Sequence, residues 1–415
     1  MTETSSETTG STKEKVTFKI ILISIAACLL YGVLGFRSDM SQIIGIISNT
    51  SEVFSYVDIQ LANTVCRFVT AFASPVIAFL VLKKSNFFIL TFGFVTTILG
   101  LLCMAAATTF PMLVFGLGIL FGVGTAALSF GIIFGIVSPL VGESVAVILS
   151  TIFSISATAF GVLFSPVIQL LSDNVGYQGM LVAASLLFVC VYPLIFVISG
   201  KKKEKAIAEQ KKKMGFKEAL SLMFKDKITY ILIVLFFIVG FCSGISNHYY
   251  TGLLTIDIPS LGASITYSVM KIVCALGSFA AAFFIVKIKK TWRFTAGVFI
   301  LFGITELIIA FLPDTALEFI PVTWFAVLVL SFMNPLSTLI IRRRYSPVLL
   351  ASMFCFISLF EKAGSAINGI AGSIILETYG SFDLLLYMEG FAALALAAAL
   401  ICTMLIQKKH QTKLE

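Results

Sequence analysis

The sequence predicts an all-α membrane protein of twelve transmembrane helices, built as two pseudo-symmetric six-helix bundles. Three observations carry this. The 415-residue chain is 59% hydrophobic and only 12% charged, against about 25% charged residues in an ordinary soluble domain. It holds twelve apolar runs, each long enough for the roughly 20 residues a membrane span needs. Its basic residues gather at every second gap between those runs. This composition excludes a soluble enzyme, a nucleic-acid binder and a disordered chain.

The runs fall at 17–46, 54–82, 86–107, 110–138, 144–171, 178–199, 228–256, 261–287, 294–312, 320–341, 347–376 and 383–407. They are too long and too glycine-rich for the short alternating segments of a membrane barrel. The first is longer than a signal-peptide core and lacks a small-residue cleavage site, so it reads as span 1 of the mature chain. Residues 1–16 read as a disordered cytoplasmic N-terminus, because their Ser/Thr/Glu-rich start cannot bury a core. Residues 17–199 form the first bundle, 200–227 a basic cytoplasmic linker with a candidate surface helix at 206–222, 228–407 the second bundle, and 408–415 a cytoplasmic tail.

The net charge is +8, from 29 Lys+Arg against 21 Asp+Glu. Twenty-five of the cations lie in six places: the N-terminus, the 2–3 loop (Lys83, Lys84), the linker, the 8–9 loop (Lys287 to Arg293), the 10–11 loop (Arg342, Arg343, Arg344) and the C-terminus. With twelve spans, all six lie on one side. The alternate loops carry acids, including Asp173, Asp257, Asp314 and Glu377. The positive-inside rule places the basic side, and both termini, in the cytoplasm of a multi-pass protein of the cell (inner or plasma) membrane. Eight cysteines stand singly in apolar runs, with neither metal-ligand spacing nor a disulfide framework. The triplet Asn49-Thr50-Ser51 is a glycosylation sequon of little weight.

The two halves repeat. A shift of 204 residues aligns span 2 with span 8, through Val65/Val269, Val69/Val273, Ala71/Ala275, Ser74/Ser278 and Lys83/Lys287. It also pairs Asp173 with Glu377 and Gly176 with Gly380. Two parallel six-helix repeats resemble the major facilitator superfamily, and the resemblance covers the whole chain. The glycine/aspartate/arginine loop of that family is eroded here to Phe79-Leu-Val-Leu-Lys-Lys84. The glycines of span 4 (Gly116, Gly118, Gly122, Gly124, Gly131, Gly135) suit close helix packing. No GxxxxGK[ST] sequence is present, so transport would be secondary.

Four cations are left over: Arg37, Arg67, Lys271 and Lys362. A central charge costs about 2.5–3.5 kcal/mol on insertion scales. Such residues belong beside a wet cavity, an acid or an anionic ligand. Arg67 and Lys271 are related by the 204-residue shift, so they should face each other across the pseudo-twofold axis. Two converging cations suit a small carboxylate. The expected substrate-binding set is Arg67, Lys271, Lys362, Tyr31, Asn247 and Tyr250. The expected coupling or gating set is Glu361, His248, Arg37 and Asp58.

Alternatives remain open at this stage. Arg37 can pair with Asp39 or Asp58 as an outer gate, and Lys271 or Lys362 with Glu361. His248 can cap a broken helix or carry a proton. Glu361 and Lys362 lie about 100° apart on a helix, so one should face the cavity and the other a neighbouring helix. Glu306 and Glu389 sit on spans that normally pack outside the path, and read as structural.

Lys271 in span 8 and Lys362 in span 11 resemble the oxalate/formate antiporters and the monocarboxylate transporters, where cations in those spans are implicated in carboxylate binding. Tyr31-Gly-Val-Leu-Gly-Phe-Arg37 is similar to their span 1. Tyr267 stands where monocarboxylate carriers have an aspartate. The resemblance implies a secondary transporter of a small organic anion, a mono- or dicarboxylate, by alternating access as exchanger or proton symporter. Multidrug or neutral-solute carriage, or a transport-inactive sensor of this fold, are the rivals. Expected partners are the anion, the lipid bilayer and protons, with no nucleic acid and a monomeric chain. No cofactor, metal or catalytic constellation is expected.

Overall fold

The computed structural model describes residues 18–141, 143–199, 224, 227–285, 288, 290–312, 316–333, 336, 340–341 and 347–412. The N-terminal segment, nearly all of the linker with its candidate surface helix, and the 10–11 loop arginines lie outside the described residues.

Among the described residues the chain makes twelve helical passages. α1 comprises Phe18–Val33 and Met40–Thr50, joined by a 3₁₀ turn over Leu34–Asp39. α2 is Tyr56–Lys83 and α3 is Asn86–Ala105. α4 runs through Phe110–Leu113, a π-wound stretch Val114–Phe121, Gly122–Ala127 and Phe130–Val141. α5 and α6 are continuous over Glu143–Val191 except at Gly176, and a short helix Leu194–Ile198 follows. α7 is Lys227–Cys242 and Gly244–Thr255, α8 is Ser260–Ile285, and α9 is Thr291–Phe311. α10 is Ala316–Ser331, α11 is Pro347–Tyr379 and α12 is Asp383–Thr412. α12 thus continues as helix through five residues of the expected tail.

Two features bear on the repeat. α1 and α7, the first helices of the halves, are both interrupted partway along. Gly176 ends α5 with φ of 72°, and Gly380 follows α11 with φ of 73°. These are the residues the 204-residue shift pairs, and left-handed backbone at both explains why glycine stands at each.

Among the described residues, eight stretches are apolar and long enough to cross a membrane, one of them spanning α5 and α6 together. α2, α10 and α11 make up the remainder. α10 is described over only 16 residues. α2 and α11 carry Asp58, Arg67, Glu361 and Lys362 within their length. The helices least like lipid-facing spans are therefore those that meet between the halves. Exposed leucines, valines and phenylalanines such as Phe72, Leu163, Leu276 and Phe284 cover the outer faces, as an apolar solvent requires.

Candidate substrate and gating site between the halves

The halves are joined by polar contacts at the end of the bundle away from the termini, here called the distal end. These come from helix faces with 3.6-residue spacing. On α2, Tyr56, Gln60, Asn63 and Arg67 recur at i, i+4, i+7 and i+11, so one stripe is polar in an otherwise apolar helix. On α5 the stripe is Ser165, Gln169 and Asp173, and on α8 it is Ser264, Ser268 and Lys271.

The first cluster seals α1 and α5 against α7 and α8. Gln42 Nε2 donates to the Ser165 carbonyl at 2.8 Å and to Ser264 Oγ at 2.9 Å. Ser165 Oγ donates back to Gln42 Oε1 at 2.6 Å and to the Ser264 carbonyl at 3.1 Å. The Tyr250 hydroxyl donates to Gln169 Oε1 at 2.5 Å, and Gln169 Nε2 donates to Asp173 at 2.7 Å. Gln42, Ser165, Gln169 and Ser264 are all buried. A buried amide left unmatched is costly, so this cluster holds only while the two halves stay together here.

The second cluster holds the predicted cations. Arg67 donates through Nη1 to the Ser365 carbonyl at 3.0 Å and to the Ser365 hydroxyl, and through Nη2 to Asn247 Oδ1 at 2.9 Å. Asn247 Nδ2 donates to Ser365 Oγ at 3.1 Å, and Ser243 Oγ lies 3.2 Å from the same hydroxyl. Ser41 donates to the Asn247 carbonyl. One arginine of the first half is thereby clasped by α7 and α11 of the second, with Arg67 and Asn247 both partly exposed.

Lys271 is placed differently. Its ammonium forms an ion pair with the fully buried Asp39 of α1 and lies 4.4 Å from the centroid of the Tyr267 ring. Arg67 also acts electrostatically on Tyr267. The two repeat-related cations each reach across the interface, Arg67 to α7 and α11 and Lys271 to α1. Of the two cations open to pairing with Glu361, Lys271 instead takes Asp39.

Lys362 and Glu361 meet each other, Nζ to Oε1 at 3.4 Å, with side chains 30% and 34% exposed. The expected divergence of these neighbours is thus corrected. Both side chains are long enough to turn back and close the 100° gap. Ser365 lies three residues beyond Lys362, on the same face of α11.

The other expected residues are scattered. Tyr31 stacks on Phe153 at 5.4 Å and meets Phe130 edge-on at 5.9 Å, within the first half. Asp58 serves as a helix cap: it accepts from the Ser55 backbone and hydroxyl at 3.0 Å, and its own amide donates to Ser55 Oγ at 3.1 Å. This is a capping box at the start of α2. Nothing of the Arg37 side chain lies within the described part of the structure. His248 is buried between the Tyr56 hydroxyl, 2.7 Å from Nδ1, and the Asn368 carbonyl, 3.4 Å from Nε2.

Sequence reading missed Gln42, Ser165, Gln169 and Ser264. They are neutral, and only their helical spacing within apolar runs marked them. It weighed Asp39 as a partner for Arg37 and not for Lys271, because that pairing joins residues 232 apart.

Comparison with known proteins gives the same architecture. Residues 20–367 match the model of the Major Facilitator Superfamily. No curated protein sequence matches the chain. The crystal structure of a point mutant of the nucleoside transporter NupG superposes with a TM-score of 0.77 at 16% identity, covering 92% of this chain and 99% of that one. Another crystal structure of NupG gives a TM-score of 0.73 at 15% identity, covering 94% and 99%. At such identities the likeness is one of fold.

Proposed function

The chain belongs to the major facilitator superfamily, and we propose that it is a secondary transporter moving a small organic anion across the cell membrane by alternating access. The observation that supports this most is the clasp around Arg67. A partly exposed guanidinium sits where three helices of both halves meet, and its partner Ser365 lies one helical turn from the partly exposed Lys362 on α11. A carboxylate entering from the side of the termini would find a forked donor in Arg67 and a second cation in Lys362. Fork-shaped guanidinium pairing is the strong, geometrically selective way to hold a carboxylate. Asn247 and Ser365 would orient its oxygens.

In this reading the distal contacts are a closed gate. The Asp39–Lys271 pair and the Gln42/Ser165/Ser264 cluster lock one side, and the opposite side is the cytoplasmic one on the basis of its cations. Transport would require these bonds to part as the halves rock. Exchange and proton symport both fit this frame.

A neutral-solute reading draws on one observation: Lys271 and Lys362 each already have a carboxylate partner. Reconstitution decides between them. Liposomes containing the protein should show saturable uptake of at least one of labelled formate, lactate or oxalate. Uptake confined to a nucleoside or sugar, indifferent to anions, would overturn the proposal.

A further inference from the structure

α9 and α12 cross closely in the second half. A Cβ on Gly303 would meet the Gly390 carbonyl at 2.8 Å, and one on Gly390 would meet the Gly303 carbonyl at 3.0 Å. Only glycine at both permits that approach. Glu306 lies one turn beyond Gly303 and Glu389 immediately precedes Gly390, each with 0% exposure. They interact electrostatically with each other. Both carboxyl oxygens of Glu306 lack a hydrogen-bond partner. Glu389 Oε1 accepts from Asn368 Nδ2 at 2.8 Å.

Among the described residues, three helices pack towards this pair. From α7 come the Cys242 thiol, which contacts the Glu389 carbonyl, and, further along, His248. α11 contributes Asn368, while its charged Glu361 and Lys362 bond to each other. α10 brings no ionisable residue to the pair within 319–331, and Glu318 is exposed. Two carboxylates cannot both stay ionised side by side in an apolar medium.

A cavity approaches the pair to within one helical turn. A cavity of about 80 Å³ extends from the exposed distal residues Thr255 and Gly380 down to His248, Ile309 and Leu386. Ile309 is one turn from Glu306, and Leu386 one turn from Glu389. Such a volume holds a few waters. From Glu389, polar contacts continue through Asn368 and His248 to Tyr56, Gln60 and Asn63 of the first half. The Tyr56–His248 bond is an inter-half contact of the distal gate.

We propose that the Glu306–Glu389 pair is a proton-binding site, filled through the distal cavity and linked through Asn368 and His248 to gate closure. The step is one proton taken from cavity water to form an O–H bond on one carboxylate of the pair, and returned on release. Asn368 is a structural link here and not a proton carrier. The proposal rests on the transporter reading above and names proton symport as its mode.

Infrared spectra of the purified protein in lipid, recorded across pH, test it without a substrate. A buried-carboxyl C=O band should appear and vanish reversibly with pH in the wild type. The double variant Glu306→Gln/Glu389→Gln should lose it. His248→Gln should keep the band and shift its midpoint. In liposomes the double variant should lose pH-gradient-driven uptake and keep substrate exchange. A wild-type band constant across pH, or one titrating unchanged in the double variant, overturns the proposal whether or not the variants transport. Failure of the anion reading alone would leave the infrared titration intact.

Discussion

The two halves are copies in architecture and opposites in chemistry. At equivalent positions, Arg67 of the first half is held by a carbonyl, a hydroxyl and an amide, while Lys271 of the second is held by the Asp39 carboxylate. α3 and α6 contain no acidic residue, whereas their counterparts α9 and α12 bury Glu306 and Glu389. Duplication preserved what the fold needs, such as the left-handed glycines Gly176 and Gly380. The polar residues diverged. The first half supplies the forked cation and the buried Asp39, and the second supplies the Glu306–Glu389 pair and the locked lysine. Structure is shared and function is divided.

Substitutions can break or sharpen that contrast. The largest effect is expected at Asp39. Asp39→Asn leaves the Lys271 ammonium buried without its ion pair, a loss of about 3–5 kcal/mol. It should appear as a marked fall in thermal stability in lipid, largely restored by adding Lys271→Met. An unchanged melting temperature would show that the pair is not a lock.

Arg67→Gln should behave otherwise. It removes charge-assisted donors worth roughly 1.5–3 kcal/mol, so anion affinity should weaken by about 10- to 100-fold with a smaller change in stability. Equal stability losses at the two cations would erase the distinction between them. Next, Gly303→Ala should cost about 1–3 kcal/mol through overpacking at the α9–α12 crossing. Its readout is the melting temperature together with the carboxyl infrared band. Smallest of all, Ser55→Ala removes the α2 capping box and should cost about 1 kcal/mol, with uptake kept at wild-type rates.

The sequence made some of this legible and hid the rest for physical reasons. Apolar length and cation placement revealed the passages, since the bilayer imposes both on any chain that crosses it. The repeat singled out Arg67 and Lys271, and each reaches across to the other half. Partners were not legible. Asp39 and Lys271 are joined only by the packing of α1 on α8, and no local pattern encodes that choice. Asp58 looked like a gate acid because it lies at a helix end beside other charges, yet Ser55 three residues earlier is the capping signature that claims it. Glu306 and Glu389 looked structural because their helices lie off the path. The close glycine crossing and the distal cavity are what support the proton site proposed for them.

The account stands most directly on uptake by liposomes carrying wild-type protein or Arg67→Gln, with Ser55→Ala as the folded control. It predicts saturable, anion-selective uptake in the wild type and in Ser55→Ala, and uptake reduced by at least about tenfold in Arg67→Gln. Anion uptake of undiminished affinity in Arg67→Gln, or transport restricted to neutral solutes in all three, would contradict it.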